Sequence, residues 1–294
     1  MIRLLISCGF AALFLCSQNA VSAERGHVSI SYQQFKSDGF ESTLGELDIG
    51  TTDTQSLSFE LSYYLTERTT LHFGIPLVRR RYEGPVGHFP SEIEPARSDH
   101  HGVDEGSYHT DFQDFLFGIS FLAVDKPMRV EPFLSYGLPS HDYPHFGHAA
   151  VGQNSWRVEL GTRLTYVPPL SDFYFRFDPS YTFMEEVFGV RTNHWRAHAE
   201  VGYRFADGAS ARVFVAAKDA EGAEFPDDFP LPRNDERWYQ HDRMVKHSFV
   251  NAGIGLDWQF SPRTQISASA LTMVRAEQAH VVKYAFNIGI TRSF

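Results

Sequence analysis

The sequence predicts an all-β fold, a transmembrane antiparallel up-and-down β-barrel of about 12 strands behind a cleaved signal peptide. Three observations carry this. Apolar and polar residues alternate with period two along the chain, short and long polar connections take turns between the alternating stretches, and a secretory leader precedes them.

The leader comes first. Arg3 supplies a positive charge, Leu4 to Leu15 an apolar run, and Val21-Ser22-Ala23 the small-residue end where a signal peptidase cuts, so 1–23 reads as signal peptide and 24–294 as one barrel domain. The apolar run is shorter than the roughly 20 residues a membrane-spanning helix needs. Both cysteines, Cys8 and Cys16, lie in this leader. A mature chain starting after Ala23 then has no thiol for disulfides, catalysis or metal binding. Acylation at Cys16 is disfavoured by the bulk of Phe14 and Leu15.

The strands follow in pairs. After a first strand around Val28, Ile30 and Tyr32, Leu57, Phe59, Leu61 and Tyr63 alternate with Ser56, Ser58, Glu60 and Ser62, and turn at Thr66–Thr69 into Leu71, Phe73, Ile75 and Leu77. Phe115, Phe117, Ile119 and Phe121 turn at Asp125-Lys126-Pro127 into Val130, Pro132, Leu134, Tyr136 and Leu138. Trp156, Val158, Leu160, Leu164 and Tyr166 pass through Pro168-Pro169 into Phe173, Phe175, Phe177, Tyr181 and Phe183. Trp195 to Phe205 turns at Asp207-Gly208 into Ala211, Val213 and Val215, and Val250 to Phe260 turns at Ser261-Pro262-Arg263 into Ile266, Ala268, Ala270 and Val274. Val282, Tyr284, Phe286, Ile288, Ile290 and Phe294 form the last strand.

Periodicity does not say which face is outside, since a soluble barrel buries its apolar set. Large aromatics in the alternating set, unequal connections and the leader favour a membrane barrel with both termini in the periplasm. Tyr284, Phe286, Ile288, Ile290 and Phe294 resemble the C-terminal signal read by the barrel-assembly machinery, so that machinery and outer-membrane lipid are the expected partners, in a Gram-negative outer membrane. Extracellular loops are expected at about Lys36 to Thr54, Tyr82 to Thr110, Pro139 to Gln153, Glu185 to Thr192 and Ala220 to Asp242.

A net charge of -10 argues against nucleic acid as a partner. A mean hydropathy of -0.28 looks soluble, yet alternation averages two opposite faces. The aromatic share, 15%, suits interfacial girdles.

The polar face is rich in paired signs: Arg129, Glu131, Arg157, Glu159, Arg163, Arg176, Asp178, Arg196, His198, Glu200, Arg204 and Arg212 are expected to line the lumen, with His194. Opposed charges can pair across a narrow interior, leaving a small pore or filling it entirely. The 14 histidines, among them His88, His100, His101 and His109 in one loop and His141, His145 and His148 in another, lack the fixed geometry and thiol help of a metal centre, and no cofactor is expected. For a lipid hydrolase, Ser140 with His141, or His148 with Asn154-Ser155, are the loose candidates, and neither reproduces the His-x-Ser-Asn-Gly arrangement of the outer-membrane phospholipase. No catalytic residue is therefore expected.

Leu138-Pro139-Ser140-His141-Asp142-Tyr143-Pro144, followed by His148-Ala149-Ala150-Val151-Gly152, resembles a segment of the bacterial outer-membrane barrel family labelled for the meta-pathway of phenol degradation, or transporter. Gly74-Ile75-Pro76-Leu77-Val78 and Asp114 are similar to further marks of that family. The sequence departs from it where Pro139-Ser140-His141 stands for Pro-Thr-Gly and Gln113 for the Gly before the Asp. The resemblance implies uptake of small aromatic or hydrophobic molecules, so a small-solute channel is the leading expectation. A lipid-modifying hydrolase and an adhesive barrel with partner-binding loops are the alternatives.

Overall fold

Residues 24–85, 103–205, 208–229, 231 and 235–294 are described by the computed structural model. The leader, His88, His100, His101 and Asp207 of one predicted turn lie outside the described residues. Twelve antiparallel strands follow in chain order: β1 (Gly26–Ser42), β2 (Gly45–Tyr64), β3 (Thr69–Glu83), β4 in two parts (His109–Phe112 and Asp114–Phe121), β5 (Met128–Pro139), β6 (Arg157–Tyr166), β7 (Phe173–Met184), β8 (His194–Arg204), β9 (Ala209–Ala220), β10 (Ser248–Ser261), β11 (Thr264–Glu277) and β12 (Ala279–Ser293). Each pairs with the next, and β1 pairs with β12, so the sheet closes on itself. Closure leaves no strand edge with unpaired N–H and C=O groups, which hydrocarbon could not solvate.

The side-chain arrangement shows which face is out. Phe73, Phe117, Leu134, Leu160, Phe175, Val213, Ile254 and Phe286 are all exposed, whereas the residues alternating with them are mostly half-buried. An exposed apolar belt around a closed barrel is a lipid-facing surface, and the polar face lines the interior. Tyr284, Phe286, Ile288, Ile290 and Phe294 all belong to the exposed set. Trp258 and Phe260, ring centroids 5.3 Å apart, and Tyr203 and Phe205, 5.2 Å apart, supply aromatic pairs at the short-turn end.

One expected loop is not a loop. Lys36 to Thr54 continues β1 and β2 as a hairpin with only Thr43-Leu44 at its tip. Its register is kept by inward groups such as Ser37 and Thr52, whose hydroxyls are hydrogen-bonded and almost fully buried. The polar residues read as a loop are the same alternation with a weaker outward set, Lys36 and Asp53 in place of Tyr32 and Leu57. β2 has 20 residues, about twice what a tilted crossing requires, so the hairpin stands clear of the bilayer on the loop side. An epitope inserted between Thr43 and Leu44 is expected to bind antibody on intact cells. One inserted between Glu67 and Arg68 is expected to need permeabilised cells, and the reverse labelling would invert this topology.

Tyr82 and Thr110, placed in a loop from the sequence, lie in strands β3 and β4, and the Ala220–Asp242 segment contains two single turns of helix, α1 (Glu236–Tyr239) and α2 (His241–Met244). The buried apolar residues gather at the loop end. Phe40, Val187, Ala223, Phe229, Met244 and Val245 form one cluster, Tyr82, Val103, Ala149 and Ala150 a second, and Val78, Tyr143 and Val151 a third. The packed core of this barrel is thus a closure over one mouth.

Candidate functional site: the lumen and its closure

Three cavities occupy the interior in series. An outer one of about 780 Å³ lies under the loops, a middle one of about 400 Å³ follows, and an inner one of about 640 Å³ lies towards the short turns. Leu116, Arg196 and Phe249 line both the outer and the middle cavity, and Asp178 and His198 line both the middle and the inner one. The shared residues mark where each cavity meets the next.

The charged wall leaves this space because its ion pairs run along the wall instead of across it. Arg129 and Arg163 both reach Glu131, at 3.0 and 2.9 Å. Arg176 pairs with Asp178 two residues on, Arg212 with Glu200 at 3.3 Å and with Asp257 on the next strand, and His198 lies 3.4 Å from Glu200. Arg204 lies over the Tyr174 ring at 5.5 Å. Ser180 donates to Glu159 at 2.6 Å, and Arg196 stands 3.8 Å from the same carboxylate. His194 donates from Nδ1 to the Thr192 carbonyl at 2.9 Å. Close approach of backbone makes the wall pairs possible: a Cβ at Gly137 would lie 2.8 Å from the Arg157 side chain, and one at Gly255 2.7 Å from Arg212. Arg157 crosses Gly137 to reach Asp114, a partner two strands away.

The ceiling of the outer cavity is the loop between β5 and β6. Tyr143 inserts from it, 1% exposed, and its hydroxyl donates to Asp114 at 2.6 Å while accepting the Asn154 N–H at 3.0 Å. Burial, then the Asp114 carboxylate, push the Tyr143 phenol far above its ordinary range, so it stays a donor. The Asp104 carboxylate accepts the N–H groups of His148 and Ala149 at 3.1 and 2.8 Å, and Arg80 donates to the Ala150 carbonyl at 3.0 Å. A second loop, carrying α1 and α2, locks the first: Arg243 donates to Ser155 at 3.1 Å and pairs with Glu185 at 3.2 Å, and the Phe146 and Tyr239 rings lie 4.8 Å apart. Gln278, at φ 53°, clasps Phe225 of this loop through both its amide groups.

Two histidines make this closure sensitive to pH. Burial, then the Arg243 guanidinium, hold His145 at about 4, and burial, then the Lys218 ammonium, hold His247 at about 4. Displaced loops regain the ordinary value near 6.5 and bind the extra protons between these limits. Docking is therefore at full strength above about pH 6.5 and weakens as pH falls towards 4. Conductance is expected to rise on acidification from about pH 7.5 to about pH 4.5, less so in a His145→Gln/His247→Gln double variant. A flat profile in the unaltered protein would refute the docking role.

The other sequence candidates are dispersed. His141 reaches Asp111 at 3.1 Å, His145 lies 5.2 Å from the Tyr239 ring, and His148 packs between Tyr82 and His280. Among the described residues no group of three or more His, Cys, Asp or Glu is placed to hold a metal ion. Ser155 donates to the Gln153 carbonyl, away from His148. Ser140, His141 and Asp111 do form a chain, with Ser140 Oγ 2.9 Å from His141 Nδ1. The Ser140 hydroxyl, however, donates to the Phe112 carbonyl at 2.9 Å, so its proton is not directed at the imidazole as nucleophilic attack requires.

An outer membrane channel from Pseudomonas putida F1 superposes with a TM-score of 0.69 at 13% identity, over 94% of this chain and 97% of that one. The β domain of the Bordetella autotransporter BrkA superposes with a TM-score of 0.52 at 10% identity, over 92% of this chain and 100% of that one. These likenesses give the fold, that of a barrel in the outer membrane of Gram-negative bacteria. Comparison with curated proteins returns no match. The family model described as "Putative MetA-pathway of phenol degradation" matches residues 64–279, and the chain belongs to that family.

Proposed function

We propose that the protein is a passive outer-membrane channel for small solutes, closed at rest by its own loops. The observation that carries this is the series of cavities joined at Leu116, Arg196 and Phe249 and again at Asp178 and His198. Salt bridges lying flat on the wall neutralise most of the lumen charge without occupying the path. The middle cavity, about 400 Å³, suits a small organic molecule. Its walls mix Leu116 and Phe133 with Ser135, Glu159 and Arg163, so a solute with an apolar body and a polar end is matched. The family's association with phenol degradation and the channel identity of the Pseudomonas relative point the same way.

The test is single-channel recording of the refolded barrel in planar bilayers, beside a variant in which 141–152 is replaced by a short Gly-Ser linker. Rare openings in the first and sustained conductance in the second are expected. A folded barrel silent in both forms would sink the proposal.

A second reading, an ester hydrolase at the outer rim, is favoured only by the Ser140–His141–Asp111 chain. Lipid-ester hydrolysis by the purified barrel, abolished in Ser140→Ala, would establish it. Unchanged background hydrolysis would leave the three residues as a clasp at the base of the loop.

A further inference from the structure

Two cations meet at one level of the lumen wall, where Arg196 lines both the outer and the middle cavity. Arg196 on β8 and Lys218 on β9 stand directly opposite each other in register, on the inward face. Like charges facing one another on adjacent strands repel. Arg163, Arg176 and Arg212 each meet a carboxylate on the wall, and Arg157 is committed to Asp114. Lys218 has no ion pair among the described residues, and the carboxylate nearest Arg196, Glu159 at 3.8 Å, already accepts from Ser180. Leu116 and Phe249 line the outer and the middle cavity together with Arg196, and Phe249 is the register partner of Lys218 on the far side.

Building on the channel reading, we propose that Arg196 and Lys218 form an anion subsite where the outer and middle cavities meet, selecting small organic carboxylates that carry an apolar body. The carboxylate lies between the guanidinium and the ammonium and supplies the counter-charge the wall lacks. The two neighbouring cations donate to it through charge-assisted hydrogen bonds. The apolar body rests on Leu116 and Phe249, with Met273 and Val282 above and Phe133 below. An inorganic anion gains only the charge half of this site, and a neutral aromatic only the apolar half. The subsite therefore sorts solutes by requiring both.

The experiment records current through the barrel in a potassium chloride gradient, with benzoate, acetate and benzyl alcohol as probes. Anion selectivity is expected, with benzoate blocking the chloride current more strongly than acetate and benzyl alcohol not blocking. Arg196→Ala and Lys218→Ala are each expected to weaken benzoate block by about tenfold, the loss of one hydrogen bond to a charged group. Arg196→Lys is expected to retain most of it, and heat-shifted gel mobility verifies that each variant folds. Cation selectivity in the unaltered protein, or the same benzoate block in Arg196→Ala, overturns the subsite while leaving the channel intact. Absence of current in every form removes the channel reading instead, and calorimetric titration of benzoate into the folded barrel in detergent then decides the subsite. Binding that is lost in Arg196→Ala supports it, and no binding overturns it.

Discussion

Replacing Asp114 by alanine is expected to cost about 3 kcal/mol of stability and to free the loop that roofs the lumen. Asp114 is 3% exposed and holds two partners at once, the Tyr143 hydroxyl and the Arg157 guanidinium. Removing the carboxylate strands a guanidinium already threaded over Gly137, where a Cβ would leave it no room. Breaking a buried pair from one side is costly because the surviving charge keeps its desolvation penalty without its partner. Urea titration of the barrel in lipid vesicles measures the stability loss, and bilayer recording on the same preparation measures open time. Tyr143→Phe separates the two effects, since it spares the Arg157 pair and removes only the loop's anchor. It should raise open time at a stability loss of about 1.5–3 kcal/mol. Equal stability of Asp114→Ala and the unaltered protein would show that Asp114 bears no such load.

The second large effect is expected on the opposite face. Ile254→Arg places a charge on an outward position that is 63% exposed, between Ala252 and Leu256 and away from the aromatic end at Trp258 and Phe260. A midplane arginine on the lipid face of a barrel costs about 2–4 kcal/mol. Ser267→Arg is the matched control on the lumen face, opposite Asp257, where the new charge stays in the polar interior beside the Arg212–Asp257 pair. Its loss in urea titration should be much smaller. Comparable losses at both positions would mean that the faces are assigned the wrong way round.

Most of the wall was legible in the sequence because a barrel repeats one instruction. Each strand pairs with its neighbour, so period-two alternation fixes its face, and short turns fix its partner. The reading failed where the outward set loses its grease. Lys36 and Asp53 look like loop residues because outside the bilayer an outward side chain has no lipid to face. Alternation offers the lumen residues only as an expected group and says nothing of their pairing, because pairing depends on which long side chain crosses a neighbouring glycine. Arg157 and Asp114 are far apart in sequence and meet only over Gly137. Asp114 drew notice as a mark of family resemblance without a role. Tyr143 and Asp104 drew no functional reading at all, since a latch made by loops leaves no periodic trace. Gln278, 1% exposed at φ 53°, had nothing in its neighbours to announce a clasp.

The seam between β1 and β12 also sets a timetable. It joins His27 to Ser293 and continues to Glu41 opposite Ala279, with the Arg25 N–H donating to the Phe294 carbonyl at 2.6 Å and the Phe294 N–H to the Gly26 carbonyl at 3.0 Å. β12 is the last strand in chain order, so β1 keeps one side without its native partner until β12 docks on it. Closing a loop of that length costs roughly 5 kcal/mol in chain entropy. Closure is therefore the longest-range step of assembly, and the β1 edge stays open to pairing until that step is made.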